Sequence, residues 1–273
     1  MSACSDDKPK AVTEKDYDSG NFSKSSKVDN KWFPLAPGTQ LTFEGRANRG
    51  AGLTQHRVIF TVTDLTKVID GVKTTVIWEQ DINEGQVLES ELAFHAQDND
   101  GNVWHFGEYP EIYEQGELVG AEDTWIIGVR RATPGVLMRA EPRAGSSSYL
   151  QGSAPDIEFR DRAREHKTGQ RTCVPVDCFN NVLVTDEWNP LDPPDGHQVK
   201  FYAPGVGTIR VEPGQGSPEQ ESLVLVENKK LSPKELAEVR AEALKLDKRA
   251  YEVSEDVYGK TPPAKYTPNA QNQ

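Results

Sequence analysis

Val68-Ile69-Asp70-Gly71-Val72, running directly into Lys73-Thr74-Thr75-Val76-Ile77-Trp78-Glu79-Gln80-Asp81, decides how the chain is read. The first piece carries an Asp-Gly turn. The second is dense in β-branched and aromatic residues, so together they predict a hairpin. The pattern extends in both directions. Residues 39–44 alternate, and residues 57–65 are again β-branched and aromatic. Downstream, Asn83-Glu84-Gly85 turns the chain, and residues 87–95 and 103–109 flank Asp98-Asn99-Asp100-Gly101-Asn102. Short strands at regular spacing with glycine-marked bends predict an antiparallel meander. The second half is more irregular: 123–129 and 135–138 are short apolar runs, and further strands are expected at 181–188, 199–202, 207–212 and 222–226. Residues 140–156 read as a surface loop, and 156–166 fit a strand or a short helix. The expected fold is mainly β, an antiparallel β-sandwich or open barrel of about eight to twelve strands, with one C-terminal α-helix.

That helix is announced by Ser232-Pro233-Lys234-Glu235, which combines an N-cap Ser, a first-turn Pro and a capping-box Glu. Leu236, Val239, Ala243, Leu246 and Ala250 follow at steps of three and four. This stripe must dock on something, either the protein's own body or a protein partner reached through residues 232–250. The organisation expected is a lipoprotein-type N-terminus and disordered spacer at 1–30, a β-rich domain at 31–228, the helix within 229–257, and a disordered tail at 258–273.

The N-terminal expectation rests on Met1-Ser2-Ala3-Cys4, which resembles the end of a bacterial lipoprotein signal, Leu-Ser-Ala-Cys, with Cys4 the lipidated residue. Met1 stands where Leu is usual and no apolar segment precedes it, so the sequence is read as a mature or truncated form. No 18-residue apolar run is present, so the expected membrane link is the lipid alone. The location expected is the cell envelope, outside the cytoplasm. The two other cysteines, Cys173 and Cys178, are separated by Val-Pro-Val-Asp and are expected to close a small disulfide.

Net charge is −12, which argues against nucleic acid as a partner. The acidity is uneven. From 130 to 171 there are eight Arg and one Lys against five carboxylates, a local charge of +4.

Three motifs, Phe33-Pro34-Leu35-Ala36-Pro37-Gly38-Thr39, Ala96-Gln97-Asp98-Asn99-Asp100-Gly101-Asn102-Val103-Trp104 and Tyr202-Ala203-Pro204-Gly205-Val206-Gly207, together resemble a family of bacterial secreted proteins and lipoproteins with no established activity. The resemblance spans roughly residues 32–228 and implies a β-rich fold and an extracytoplasmic compartment. It supplies no catalytic residues. Physically, Tyr202-Ala203-Pro204-Gly205 suits a type II turn.

Several constellations could carry chemistry. Arg160, Arg162 and Arg164 alternate; in a strand they would share one face and could bind a carboxylate or phosphate. Interleaved Asp161 and Glu165 allow plain ion pairs instead. Asp98, Asp100 and Asn102 superficially resemble a calcium loop, but the twelfth position is Tyr109, so an EF-hand fails and a hairpin tip fits better. His95 and His105 face each other only if the tip is the three-residue loop Asn99-Asp100-Gly101; with Asp98 and Asp100 they are the metal-ligand candidates. No nucleophile elbow, Walker loop or dinucleotide fingerprint occurs, and no cofactor is expected.

The function expected is a lipid-anchored binding or structural protein of the envelope, holding a small anionic or apolar ligand. The alternative is a hydrolase whose carboxylates and histidines come from separate strands. Convergence of Glu79, Asp81, Glu108 and Glu111 in one cleft with a raised carboxylate pKa would favour it.

Overall fold

The computed structural model describes residues 11–50, 52–191, 196–216 and 220–268. Within them the chain forms one antiparallel sheet that does not close, plus a main C-terminal helix, as expected for a mainly β fold. The strands are β1 (Thr39–Asn48), β2 (Leu53–Ile69), β3 (Val72–Asn83), β4 (Gln86–Gln97), β5 (Val103–Glu114), β6 (Glu117–Gly120), β7 (Trp125–Ile126), β8 (Thr133–Met138), β9 (Tyr149–Leu150), β10 (Gly152–Ser153), β11 (Arg162–Val174), β12 (Asp177–Trp188), β13 (His197–Ala203), β14 (Gly207–Pro213), β15 (Ser222–Lys230) and β16 (Lys265–Tyr266). The helices are α1 (Pro233–Val253) and α2 (Glu255–Tyr258).

Neighbours in the sheet run β10-β8-β5-β4-β3-β2-β1-β15-β14-β13-β12-β11-β9. Most neighbours are consecutive in sequence because hairpins join them. The Asp70-Gly71 and Glu84-Gly85 turns have both central residues at positive φ, which suits the right-handed twist of the strands they connect. The sheet curls until β2–β5 face β12 and β13. Val62, Ile77, Ala93 and Val103 from one half share a buried cluster with Leu183 and Tyr202 from the other. One short segment touches both edges: β9 pairs with β11, and β10 pairs with β8. The crossing is tight, since a Cβ at Gly135 would lie 2.1 Å from the Gln151 carbonyl carbon.

The outer face of β2–β5 is apolar, with Leu65, Val76, Leu92, Phe94, Trp104, Phe106 and Tyr109 buried. A solvated sheet face would not carry this run, so something must cover it. Helix α1 covers one side with Ala243, Leu246 and Ala250, joined by Val257 and Tyr258. Ser232 caps it and forms the expected capping box with Glu235. The apolar stripe is thus placed against the chain's own sheet. Three ion pairs fasten it: Lys67 to Asp247 at 3.0 Å, Arg240 to Asp64 at 2.8 Å and Arg249 to Glu111 at 2.7 Å.

The other side is covered by residues 11–30. These were expected to be a disordered spacer, and here the expectation needs correction. Tyr17 packs on Trp104 and Phe106, Phe22 packs on the same two rings, and Val28 is buried. Asn21 and Ser23 hydrogen-bond to Asp100 and Asn99 at the β4–β5 tip, and the Asn30 amide donates to Gln97. A few well-placed aromatic rings and a polar hairpin tip are enough to order a segment whose average composition is hydrophilic. The tail is corrected likewise: β16, within 258–273, pairs with β2 at Leu65 and Thr66. Cys4 lies outside the described residues.

The undecided stretch 156–166 contains a short 3-10 turn, Pro155–Ile157, and then enters β11. Most of that strand is polar and exposed, so hydrophobic alternation does not mark it in the sequence. It runs out with β12 as a long hairpin closed by the expected Cys173–Cys178 disulfide.

Candidate functional site

The concave face of the curled sheet encloses a cavity of about 380 Å³. One wall is acidic. In β3, side-chain alternation turns Ile77, Glu79 and Asp81 inward and Val76 outward. In β4 the same period turns Glu89, Glu91, Ala93 and His95 inward and Leu92, Phe94 and Ala96 outward. Register then sets Glu79 directly opposite Glu91, and Asp81 directly opposite Glu89. Like charges in such positions destabilise a sheet.

Strand β5 adds His105 and Glu108, and a bulge makes this possible. Three residues apart in a regular strand, they would point to opposite faces. Phe94 pairs with Gly107 and His95 with His105, so Phe106 is the extra residue and the face resets. Gly107 sits at φ +148°, and a Cβ there would approach the Trp125 carbonyl oxygen to 2.4 Å. His105 Nε2 then lies 3.1 Å from Glu108 Oε1, a close contact without good hydrogen-bond alignment, and Trp125 Nε1 donates to Glu108 Oε2 at 2.9 Å.

The tip between β4 and β5 is the three-residue loop, so His95 and His105 face each other, their rings stacked at 4.7 Å. His95 is 4 % exposed and borders the cavity, and its Nδ1 is buried without a hydrogen-bond partner. Burial, and the neighbouring His105, hold its pKa well below the usual histidine range.

The facing wall comes from β13. Lys200 lies 2.9 Å from Glu187. Burial opposes its charge, but Glu187, with Asp161 and Glu221 farther off, keeps its pKa above the ordinary lysine value. At one end Arg49 reaches Asp81 at 2.9 Å and Glu221 at 3.4 Å. His56 lies between Asp81, at 3.1 Å, and Glu221, at 2.8 Å; burial works against its charge, yet the two carboxylates raise its pKa to about 10. The remaining wall is apolar, with Phe33, Leu41, Phe43, Val58, Phe60 and Leu223.

The carboxylates titrate apart. Burial, reinforced by Glu89, raises Glu79 to about 8. Burial and Glu108 raise Glu89 to about 7. Glu91 is pushed well above the carboxylate range by burial and by Glu108. Burial would raise Glu108 too, but His105 and the Trp125 N–H hold it below its usual value. Asp161 is raised to about 6 by burial and by Glu108.

Of the four carboxylates expected to converge, Glu79, Asp81 and Glu108 do. Glu111 does not: it is on the outer face, fully buried, bound by Arg249 and by the hydroxyls of Tyr109 and Tyr113. Glu89 and Glu91 join the site without having been among the expected residues; residues 87–95 read as a strand, and its period of two puts Glu89, Glu91 and His95 on one face.

The metal candidates separate. His95 and His105 point inward, whereas Asp98 accepts from the amides of Asp100 and Asn102 and from Trp104 Nε1, and Asp100 accepts from Asn21. Among the described residues, no group of three or more His, Cys, Asp or Glu side chains is arranged to hold a metal ion. Of the arginines, Arg160 is exposed just before β11, Arg162 donates to Ser148, and Arg164 pairs with Asp186. A larger surface cleft of about 670 Å³ beside Arg46, Leu53 and Pro213 contains no comparable cluster of ionisable groups.

No family model and no curated protein matches the chain. Two solved structures resemble it: a protein from Bacteroides fragilis NCTC 9343 described as exported and of YmcC-like fold, and one from Parabacteroides distasonis ATCC 8503 described as a lipoprotein. Each is 16 % identical and covers 74 % of this chain and 100 % of its own, with TM-scores of 0.41 and 0.42 respectively.

Proposed function

We propose that the chain is a lipid-anchored binding protein of the bacterial cell envelope that holds a small ligand inside its curled sheet. The lipobox-like Met1-Ser2-Ala3-Cys4 supports the anchor, and the Cys173–Cys178 disulfide supports an oxidising compartment. Among the described residues no helix is long and apolar enough to cross a membrane.

One observation carries the binding reading: two pairs of carboxylates stand directly opposed around a cavity that also exposes an unpartnered histidine. Such an arrangement costs folding energy, and proteins keep costly local arrangements chiefly where function needs them. An anionic ligand, expected from the arginine cluster, fits this cavity poorly. The test is the double variant Glu79→Gln/Glu91→Gln. It should raise the melting temperature while abolishing ligands found by ligand-observed NMR screening of the wild type. Lower stability with intact binding would assign the carboxylates a structural role and refute the reading. Diacylation of Cys4, read by mass spectrometry of the membrane fraction, tests the anchor.

A hydrolase is the second reading, favoured by the divergence of Glu108 from Glu79 and Glu91, which would separate a base from an acid. Turnover of chromogenic glycosides, lost in Glu108→Gln, would establish it.

A further inference from the structure

We infer that the cavity accepts an organic ammonium ion on a short apolar body, with the charged end at Glu91 and Glu108 and the apolar end between Phe43 and Phe60. This rests on the binding reading above and names its ligand class.

The walls are unlike. The β3–β5 side is carboxylate, and the β1–β2 side is aromatic and aliphatic. A ligand filling both needs a charged end and an apolar end. The sign of the charge follows from the pairing already present. Lys200 is engaged by Glu187, and Arg49 by Asp81 and Glu221. Lys200 lowers the pKa of Glu79 and Arg49 that of Glu89, but neither cancels the rise caused by burial and the neighbouring carboxylates, and no described Lys pairs with Glu79, Glu89 or Glu91. With no cation in contact these acids keep protons in the folded state, and a bound cation would let them ionise.

His95 supplies the second argument. It is neutral, nearly fully buried, borders the cavity and has an unpartnered ring nitrogen. A neutral imidazole accepts one hydrogen bond, and an alkylammonium group has several to donate. A bare metal ion would leave the aromatic wall unused, and the described side chains do not converge on one. A neutral polyol would leave these acids protonated and gain nothing from their charge.

The experiment is isothermal titration calorimetry of the full chain at pH 8 with 4-phenylbutylamine, 4-phenylbutan-1-ol, 4-phenylbutyrate and calcium chloride. The amine should bind at least about tenfold more tightly than the alcohol or the acid, the size of effect expected when a buried charge loses its partner. Glu91→Gln should cost the amine about tenfold and leave the alcohol within about twofold. Phe60→Leu, a milder change, should weaken phenylbutylamine while sparing methylamine. Equal binding of amine and alcohol, or competition of the amine by calcium alone, overturns the ammonium assignment and leaves a binding cavity. If none of the probes binds, both the assignment and the binding reading fall.

Discussion

Glu79 and Glu91 face each other across β3 and β4, and the positions of a few atoms decide what they can do. Gly107 is one such position. An alanine there must adopt a left-handed φ and meet the Trp125 carbonyl, so Gly107→Ala should destabilise the protein by about 3 kcal/mol or unfold β5 locally. Urea denaturation measures the first, and loss of amide protection across 103–109 the second. His56 is another. Its raised pKa means its stabilising contribution is fully present below about 6.5 and is lost as pH rises through about 10. His56→Gln should therefore cost about 2–3 kcal/mol at pH 6, because Asp81 and Glu221 would lose the charge between them, and less at pH 10. At this scale the chain was partly readable. Alternation alone places Glu79, Asp81, Glu89, Glu91 and His95 on one face of their strands. Glu108 joins them only through the bulge at Phe106, an added residue that alternation does not foresee, and the same reset leaves Glu111 outside.

Among the elements, α1 shows how a motif can be legible while its role is not. Its start is written in Ser232, Pro233 and Glu235, which act within one turn. Its seat depends on Lys67, a fully buried side chain on β2 that donates to Asp247, Tyr251 and the Pro262 carbonyl and lies 3.9 Å from the Tyr258 ring centroid. Lys67→Met should cost about 3 kcal/mol, since Asp247 would keep its charge in a buried place without a cation. Hydrogen exchange should then rise in α1 before the sheet. Lys67→Met/Asp247→Asn should recover part of the loss. The β11–β12 hairpin behaves differently. Its disulfide spans only Val174 to Asp177, so Cys173→Ala/Cys178→Ala should cost no more than about 2 kcal/mol and leave ligand binding unchanged, as measured by denaturation and titration.

For the molecule as a whole, the cavity acids dominate the response to pH. Glu79 and Glu89 hold protons in the folded state that they would release near their ordinary value of 4.5 when unfolded. The folded form binds more protons across that window, so stability falls as pH rises from about 4.5 to about 8. Lys67, lowered to about 8 by burial, acts in the opposite direction only between about 8 and 10.5. Thermal denaturation should give a higher melting temperature at pH 5.5 than at pH 8. Glu79→Gln should flatten that difference and stabilise the protein at pH 8 by about 1–2 kcal/mol.

Local chemistry was enough to specify that the chain is built of hairpins and ends in a capped helix. Turn residues with positive φ, side-chain alternation and a capping box each act over a handful of neighbours, and each can be read without knowing the rest. The cavity needed the folded molecule. Lys200 meets the acidic wall because the sheet curls β13 over β3–β5, and residues 11–30 are ordered because Trp104 and Phe106 stand beneath them. Contacts of that kind join segments far apart in the chain and depend on register, bulge and curvature together, which no single stretch of residues encodes.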